Sequence, residues 1–319
     1  MKIKIFLLLF VFASLFSMAQ PKQVIFDTDM GPDYDDVGAI TVLHNFADKG
    51  KAEILATIAS TQYEGVASVL NVLNTYFKRP EIPIAIAGTN GLALKDFQHW
   101  SDTLVNNYPH KINSNKDVMK AVELYRKLLA QAKDTSISII TVGFFTNIAD
   151  LLKSKPDKYS KLPGAELVKQ KVKALYSMAG RFPSGKEFNV HRDAASSIYV
   201  FTHWPRPVYI SGFEIGEKIF TGMPLVNNPA IQNSPVKDVY RICTALSDED
   251  RNGRKSWDQT AVLIAVDDLH KYYTLEEGQM IVDEDGSNSW DRTKKGQYRI
   301  IEKLPVQEVT NVINTLMMR

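Results

Sequence analysis

The chain has 319 residues, with 38 Lys and Arg against 36 Asp and Glu, 45% hydrophobic residues and one cysteine. A chain of this length and apolar content supports one large core without covalent staples, and the lone Cys243 excludes an intramolecular disulfide. Its basic residues are scattered rather than striped, which argues against the cationic face that a nucleic acid polymer requires.

In chain order, Lys2 and Lys4 precede an apolar stretch over residues 5–16 and the small-residue pattern Ser17-Met18-Ala19. This predicts an export signal over residues 1–19 and a mature chain starting near Gln20, periplasmic or secreted. The stretch is short for a membrane span, and no later segment approaches the roughly 20 apolar residues that a span needs. Without Lys2 and Lys4 the 38 basic residues fall to 36, equal to the acidic ones, so the mature chain is formally neutral.

Apolar, β-branched runs then alternate with segments of helical period. They are 24–29 then 35–49, 52–60 then 65–77, 84–88, and, after an irregular stretch, 115–132 followed by 137–142. This rhythm predicts an α/β fold of Rossmann type, an open, mostly parallel sheet with helices on both faces, as a single domain over residues 20–319. Strands at 174–178 and 208–210 flank a helix at 194–201, and a helix-rich region covers 235–268. Residues 279–282 and 298–301 predict a hairpin around 283–295, followed by an amphipathic helix at 306–317.

Ligands of open parallel sheets sit outside the carboxyl ends of the strands. Four segments end strands there or head a late helix: 27–36, 142–147, 178–189 and 257–258. The first holds Asp27, Asp29, Asp33, Asp35 and Asp36 within ten residues. Unit charges about 4 Å apart repel by roughly 4 kcal/mol at an effective dielectric of 20, so converging carboxylates either protonate or take a hard cation. A helix cap at Asp35 or Asp36 explains one aspartate and not five.

Four groups of residues together resemble the nucleoside hydrolase family, enzymes that use bound calcium to cleave the N-glycosidic bond of ribonucleosides. They are Asp27-Thr28-Asp29 with Gly31, Asp35 and Asp36; Gly143, Thr146 and Asn147; Met178 with Glu187-Phe188-Asn189; and Asp258. The resemblance implies a nucleoside hydrolase-like fold and Ca²⁺ held by Asp29, Asp36, Asp258 and the backbone carbonyl of Val142. It implies further that Asp29 takes the proton of the attacking water and that Asp27 orients its neighbours without touching the ion. Glu187 and Asn189 are then expected on the ribose hydroxyls and Met178 on the ribose face. Small-molecule nucleosides are the implied partners, with dimers or tetramers as the implied assemblies. An all-oxygen donor set suits calcium better than zinc.

The sequence departs from the family pattern in three places. Pro32-Asp33-Tyr34 stand between Gly31 and the paired aspartates, where one residue is commonest, so Asp33 or Asp35 is an alternative ligand. Gln62 or Tyr63 occupies the place of a sugar-binding asparagine. Trp257 precedes Asp258 where many members have a histidine that protonates the leaving base. An indole cannot do that, but it stacks on heteroaromatic rings for roughly 1–3 kcal/mol, which points to purine ribosides protonated by solvent. Residues 247–256 read either as a lid that delivers Trp257 or as a surface loop. Two other functions are carried beside this one: a non-catalytic nucleoside or sugar binder that retains the metal site, and a haloacid-dehalogenase-type phosphatase opening on Asp27-Thr28-Asp29.

Overall fold

The computed structural model describes residues 20–318, so the export signal expected over residues 1–19 lies outside the described residues. Strands are β1 (Lys22–Thr28), β2 (Ala52–Ala59), β3 (Ile84–Ile86), β4 (Met119–Lys120), β5 (Ile137–Thr141), β6 (Val172–Met178), β7 (Ser184–Lys186), β8 (Val208–Ser211), β9 (Phe220–Thr221), β10 (Arg254–Lys255), β11 (Tyr273–Val282), β12 (Ser287–Asp291) and β13 (Gln297–Glu302). Eleven of them form one sheet in the order β4-β3-β2-β1-β5-β6-β8-β13-β11-β12-β7, and β9 pairs with β10 separately. Every pairing from β4 through to β13 is parallel, and β11, β12 and β7 add an antiparallel edge.

Strand β1 is buried on both faces, which is why its centre reads Val24-Ile25-Phe26 without polar alternation. Phe26 packs into an apolar cluster with Val42, Leu70, Ile264 and Ile313, from the helices Asp35–Asp48, Val66–Tyr76, Trp257–Val266 and Val306–Met317. Ile25 points to the opposite cluster with Leu124, Ile148 and Val200, from the helices Ala121–Gln131, Thr146–Lys153 and Ala194–His203. From β1 the chain steps outward through β2, β3 and β4, then returns to place β5 on the other side of β1. The reversal leaves a crevice beyond the carboxyl ends of β1 and β5, which is where such sheets bind ligands.

Two expectations need correction. The hairpin at 279–282 and 298–301 does not form. In β11 the first half pairs with β13, Glu277 opposite Tyr298, and the second half pairs with β12, Gln279 opposite Asp291. The polar run Ser-Asn-Ser-Trp-Asp of β12 hides its strand character, because its burial comes from Asn288 bonding Arg181 and from Trp290 packing on Phe182. The single helix expected over 115–132 is also divided: Ser114 caps a short 3-10 turn at Asn115–Asp117, β4 pairs with β3, and the helix starts at Ala121. Among the described residues no helix is long and apolar enough to cross a membrane.

Candidate active site

The aspartate-rich loop is folded by its own side chains. Beyond β1, Thr28 Oγ1 accepts the Met30 N–H at 3.1 Å and donates to Asp36 Oδ1. Asp35 and Asp36 stand in the first turn of the helix Asp35–Asp48, where the peptide dipoles favour negative charge. The crevice floor is narrow: a Cβ at Gly143 would lie 2.3 Å from the Asp29 backbone nitrogen, so only glycine lets the β5 loop approach the β1 loop.

Together these segments enclose a cavity of about 180 Å³. The structure brings Asp29, Asp33, Asp35, Asp36, Val142, Met178, Glu187, Asn189, Trp257 and Asp258 to its walls, so every residue expected to touch ion or substrate shares one space. Asp27 lies beneath it, accepting the Tyr125 hydroxyl at 2.8 Å and the Asn147 amide at 3.0 Å. Burial raises Asp27 to about 7 against those two hydrogen bonds. Asn147 also donates to the Ala59 carbonyl at 3.0 Å, tying β1, β2 and the helix after β5 together. Thr146 does not cap that helix; its hydroxyl donates to Asp193 at 2.7 Å.

The carboxylates on the wall are short of partners. Burial raises Asp29 and Asp258 well above the usual carboxylate range, and their acidic neighbours add to it. Asp36 is raised to about 7, chiefly by burial, and its Oδ2 is buried with no hydrogen-bond partner among the described residues. That orphaned oxygen, with the Val142 carbonyl and the Asp29 and Asp258 carboxylates around the same cavity, is an all-oxygen donor set of the kind calcium takes. Among the described residues no three acidic, thiol or imidazole side chains already close on one point, so an ion would have to draw these carboxylates together.

Asp33 and Asp35, the alternative ligands, are engaged elsewhere. Arg254 donates to both, from Nε at 3.3 Å and Nη2 at 3.2 Å to Asp35 Oδ1. Asp35 Oδ2 also accepts the N–H groups of Trp257 and Asp258 at 3.2 and 3.3 Å, capping the helix Trp257–Val266 from across the cavity. Glu187 accepts three backbone N–H groups, from Gly180, Asn189 and Val190. Burial still raises it. Asn189 donates to the Val142 carbonyl at 3.0 Å. Gln62 turns away to the carbonyls of the 89–91 loop, and His191 bonds the Asp285 carbonyl on the surface.

Sequence reasoning missed Arg254 and Phe213, both of which line the cavity. Phe213 packs on Trp257 at 5.0 Å and its carbonyl accepts the Trp257 indole N–H at 2.9 Å. Arg254 sits in the polar run 247–256, which is neither a free lid nor a plain loop: β10 is paired to β9, and the guanidinium is held by three acids. The surplus acid in the lengthened 29–36 loop was the available signal, since a buried unmatched carboxylate demands a cationic partner.

The family model described as inosine-uridine preferring nucleoside hydrolase matches residues 24–311. The pyrimidine-specific ribonucleoside hydrolase RihA of Salmonella paratyphi B is 27% identical over 205 residues, which is 63% of this chain and 62% of that protein. The match thus spans less than two thirds of the relative's length. Among solved structures, the plant nucleoside hydrolase PpNRh1 superposes with a TM-score of 0.71 at 18% identity, covering 93% of this chain and 99% of the other. The purine-preferring ribonucleoside hydrolase from Gardnerella vaginalis gives 0.71 at 17% identity, covering 93% and 98%. At those identities the likeness concerns the fold.

Proposed function

Because the chain belongs to the nucleoside hydrolase family, we propose that it hydrolyses the N-glycosidic bond of ribonucleosides, purine ribosides first, with calcium in the crevice. The observation that carries this reading is the convergence of Asp29, Asp36 and Asp258 from remote segments into one buried cavity, with Asp36 Oδ2 left unpartnered. Bound to Asp29, Asp36, Asp258 and the Val142 carbonyl, calcium would supply a water of lowered pKa and an anchor for sugar hydroxyls. Asp29 would take the proton of the attacking water, and Tyr125 and Asn147 fix Asp27 beneath the cavity. Glu187 and Asn189, held by backbone bonds, orient the ribose while the acidic walls favour the positive charge that grows on the sugar. The Trp257 N–H is committed to the Phe213 carbonyl, so the indole contributes a stacking surface and solvent supplies the leaving base's proton.

The names of similar proteins point both ways on the base, one pyrimidine-specific and one purine-preferring. The purine reading rests on Trp257. Incubating inosine, adenosine, guanosine and uridine with calcium or a chelator, and measuring free base, tests both parts. Base release that the chelator abolishes is expected. Saturable nucleoside binding without release would instead favour a binding protein. Trp257→Ala should cost inosine roughly 10-fold more in kcat/KM than uridine, from the loss of stacking; an equal loss removes the purine argument. We further propose export, on Lys2, Lys4 and the apolar run 5–16; recovery of chain starting near Gln20 outside the cytoplasm tests it.

A further inference from the structure

Arg254 joins two parts of the chain that are far apart in sequence and must meet for the cavity to exist. Its backbone is pinned: β10 pairs Arg254 with Thr221, a Cβ at Gly253 would lie 2.7 Å from the Thr221 carbonyl oxygen, and the Ser256 and Thr221 hydroxyls bond at 2.5 Å. From that base its side chain crosses to the 29–36 loop and meets Asp33 and Asp35, with Nη1 3.6 Å from Asp250. Asp250 in turn accepts the Tyr34 hydroxyl at 2.8 Å, and the guanidinium lies 4.9 Å from the Tyr34 ring and 5.1 Å from that of Trp257. Tyr34 and Asp33 belong to the additional length of this loop, so the longer loop and the arginine form one unit.

The consequence runs through Asp35. One of its oxygens takes Arg254, and the other takes the N–H groups of Trp257 and Asp258. Fixing Asp35 therefore fixes the head of the helix that carries Trp257 and Asp258 against the loop that carries Asp29 and Asp36. Burial disfavours the guanidinium's charge, but Asp33, Asp35 and Asp250 outweigh it and keep Arg254 cationic. A planar fork suits this bridging, and an ammonium does not.

We propose that Arg254 is a positioning residue which, through Asp33 and Asp35, sets the spacing between the two acidic walls and so the geometry of ion and substrate binding. This rests on the hydrolase reading above. The test uses the full chain and the variants R254Q, R254K, D33N and D33N/R254Q, with kcat and KM for inosine and, separately, calcium affinity by titration calorimetry.

A misplacement near 1 Å costs roughly 100-fold, so R254Q should lose about that in kcat/KM, mainly in kcat, in protein that melts cooperatively. R254K should recover less than roughly a tenth of the loss, since it returns the charge without the fork. Adding D33N to R254Q should cost less than about threefold more, because both act through one unit. R254Q within about threefold of the parent, or losses that multiply in the double variant, overturns the proposal. If R254Q does not fold, R254K and D33N decide it: each within about threefold of the parent overturns it. If the parent releases no base, the hydrolase reading fails and calcium affinity decides the clamp. R254Q should then bind calcium roughly 10-fold more weakly, and unchanged affinity overturns it.

Discussion

Two arginines, Arg126 buried and Arg254 half-buried, show what separates scaffold from site in this molecule. Arg126, in the helix Ala121–Gln131, holds the 154–162 segment with one acid, Asp157 at 2.9 Å, and with neutral acceptors: the Ser154 hydroxyl and the carbonyls of Ser160 and Leu162. Arg254 faces three acids, and the same cavity wall holds Asp29, Asp36 and Asp258 with no further cation among the described residues. The carboxylates respond in opposite directions. The hydrogen bond to Arg126 pulls Asp157 down to about 2, whereas burial drives Asp36 up to about 7. Where charge is balanced, the polar knot is finished and serves stability. Where acids outnumber cations in a buried space, the imbalance costs stability and is retained only for a ligand.

The contrast breaks first at Asp29. Asp29→Ala should lower kcat/KM by roughly 1,000-fold if this carboxylate accepts the water's proton, with little loss of stability, because a group raised by burial is one the fold tolerates poorly. Base release within tenfold of the parent would withdraw the assignment. Arg126→Ala should do the reverse: about 2–3 kcal/mol lost in urea unfolding, since the Ser160 and Leu162 carbonyls lose their donor, and kcat unchanged in the folded fraction. A fall in kcat at Arg126 would erase the distinction between the two regions.

The same imbalance decides how much was legible in the sequence. The parallel sheet was readable because the centre of β1, the second half of β2 and all of β5 are buried and spell largely apolar runs. The candidate site was legible through the family resemblance: Asp29, Glu187 and Asp258 stand at its motif positions, and the fold brings all three to one cavity. What stayed hidden was set by partners remote in sequence. Asp35 caps a helix 222 residues away, and β12 is a polar strand whose partners come from tertiary packing. Arg254 was invisible for that reason: a single arginine in a polar run has no period, and only the fold reveals that it faces Asp33.

The smallest expected effect is also the one that tests both regions in a single experiment, the melting temperature against pH with and without calcium. Asp157 has a folded-state value of about 2, below its ordinary 3.8, so its contribution is present above 3.8 and is lost as pH falls through 2. Asp27 and Asp36 have folded-state values of about 7, above 3.8. Their contribution is therefore full below 3.8 and is lost as pH rises through 7, when folded protein must give up protons that the unfolded chain has already released. Metal-free protein should then be most stable in mild acid. If calcium binds at Asp36, it must displace a proton there at pH 5, at a cost on the order of a few kcal/mol that vanishes at pH 8. The calcium-induced rise in melting temperature should accordingly be larger at pH 8 than at pH 5, by about 5 °C for a chain of this size. Asp27→Asn should flatten the metal-free decline between pH 5 and 8 and leave the calcium increment intact, because Asp27 bonds Tyr125 and Asn147 rather than facing the cavity. An increment equal at both pH values would mean that calcium does not compete with protons for these carboxylates, and the acid-rich wall would have to be read as another form of scaffold.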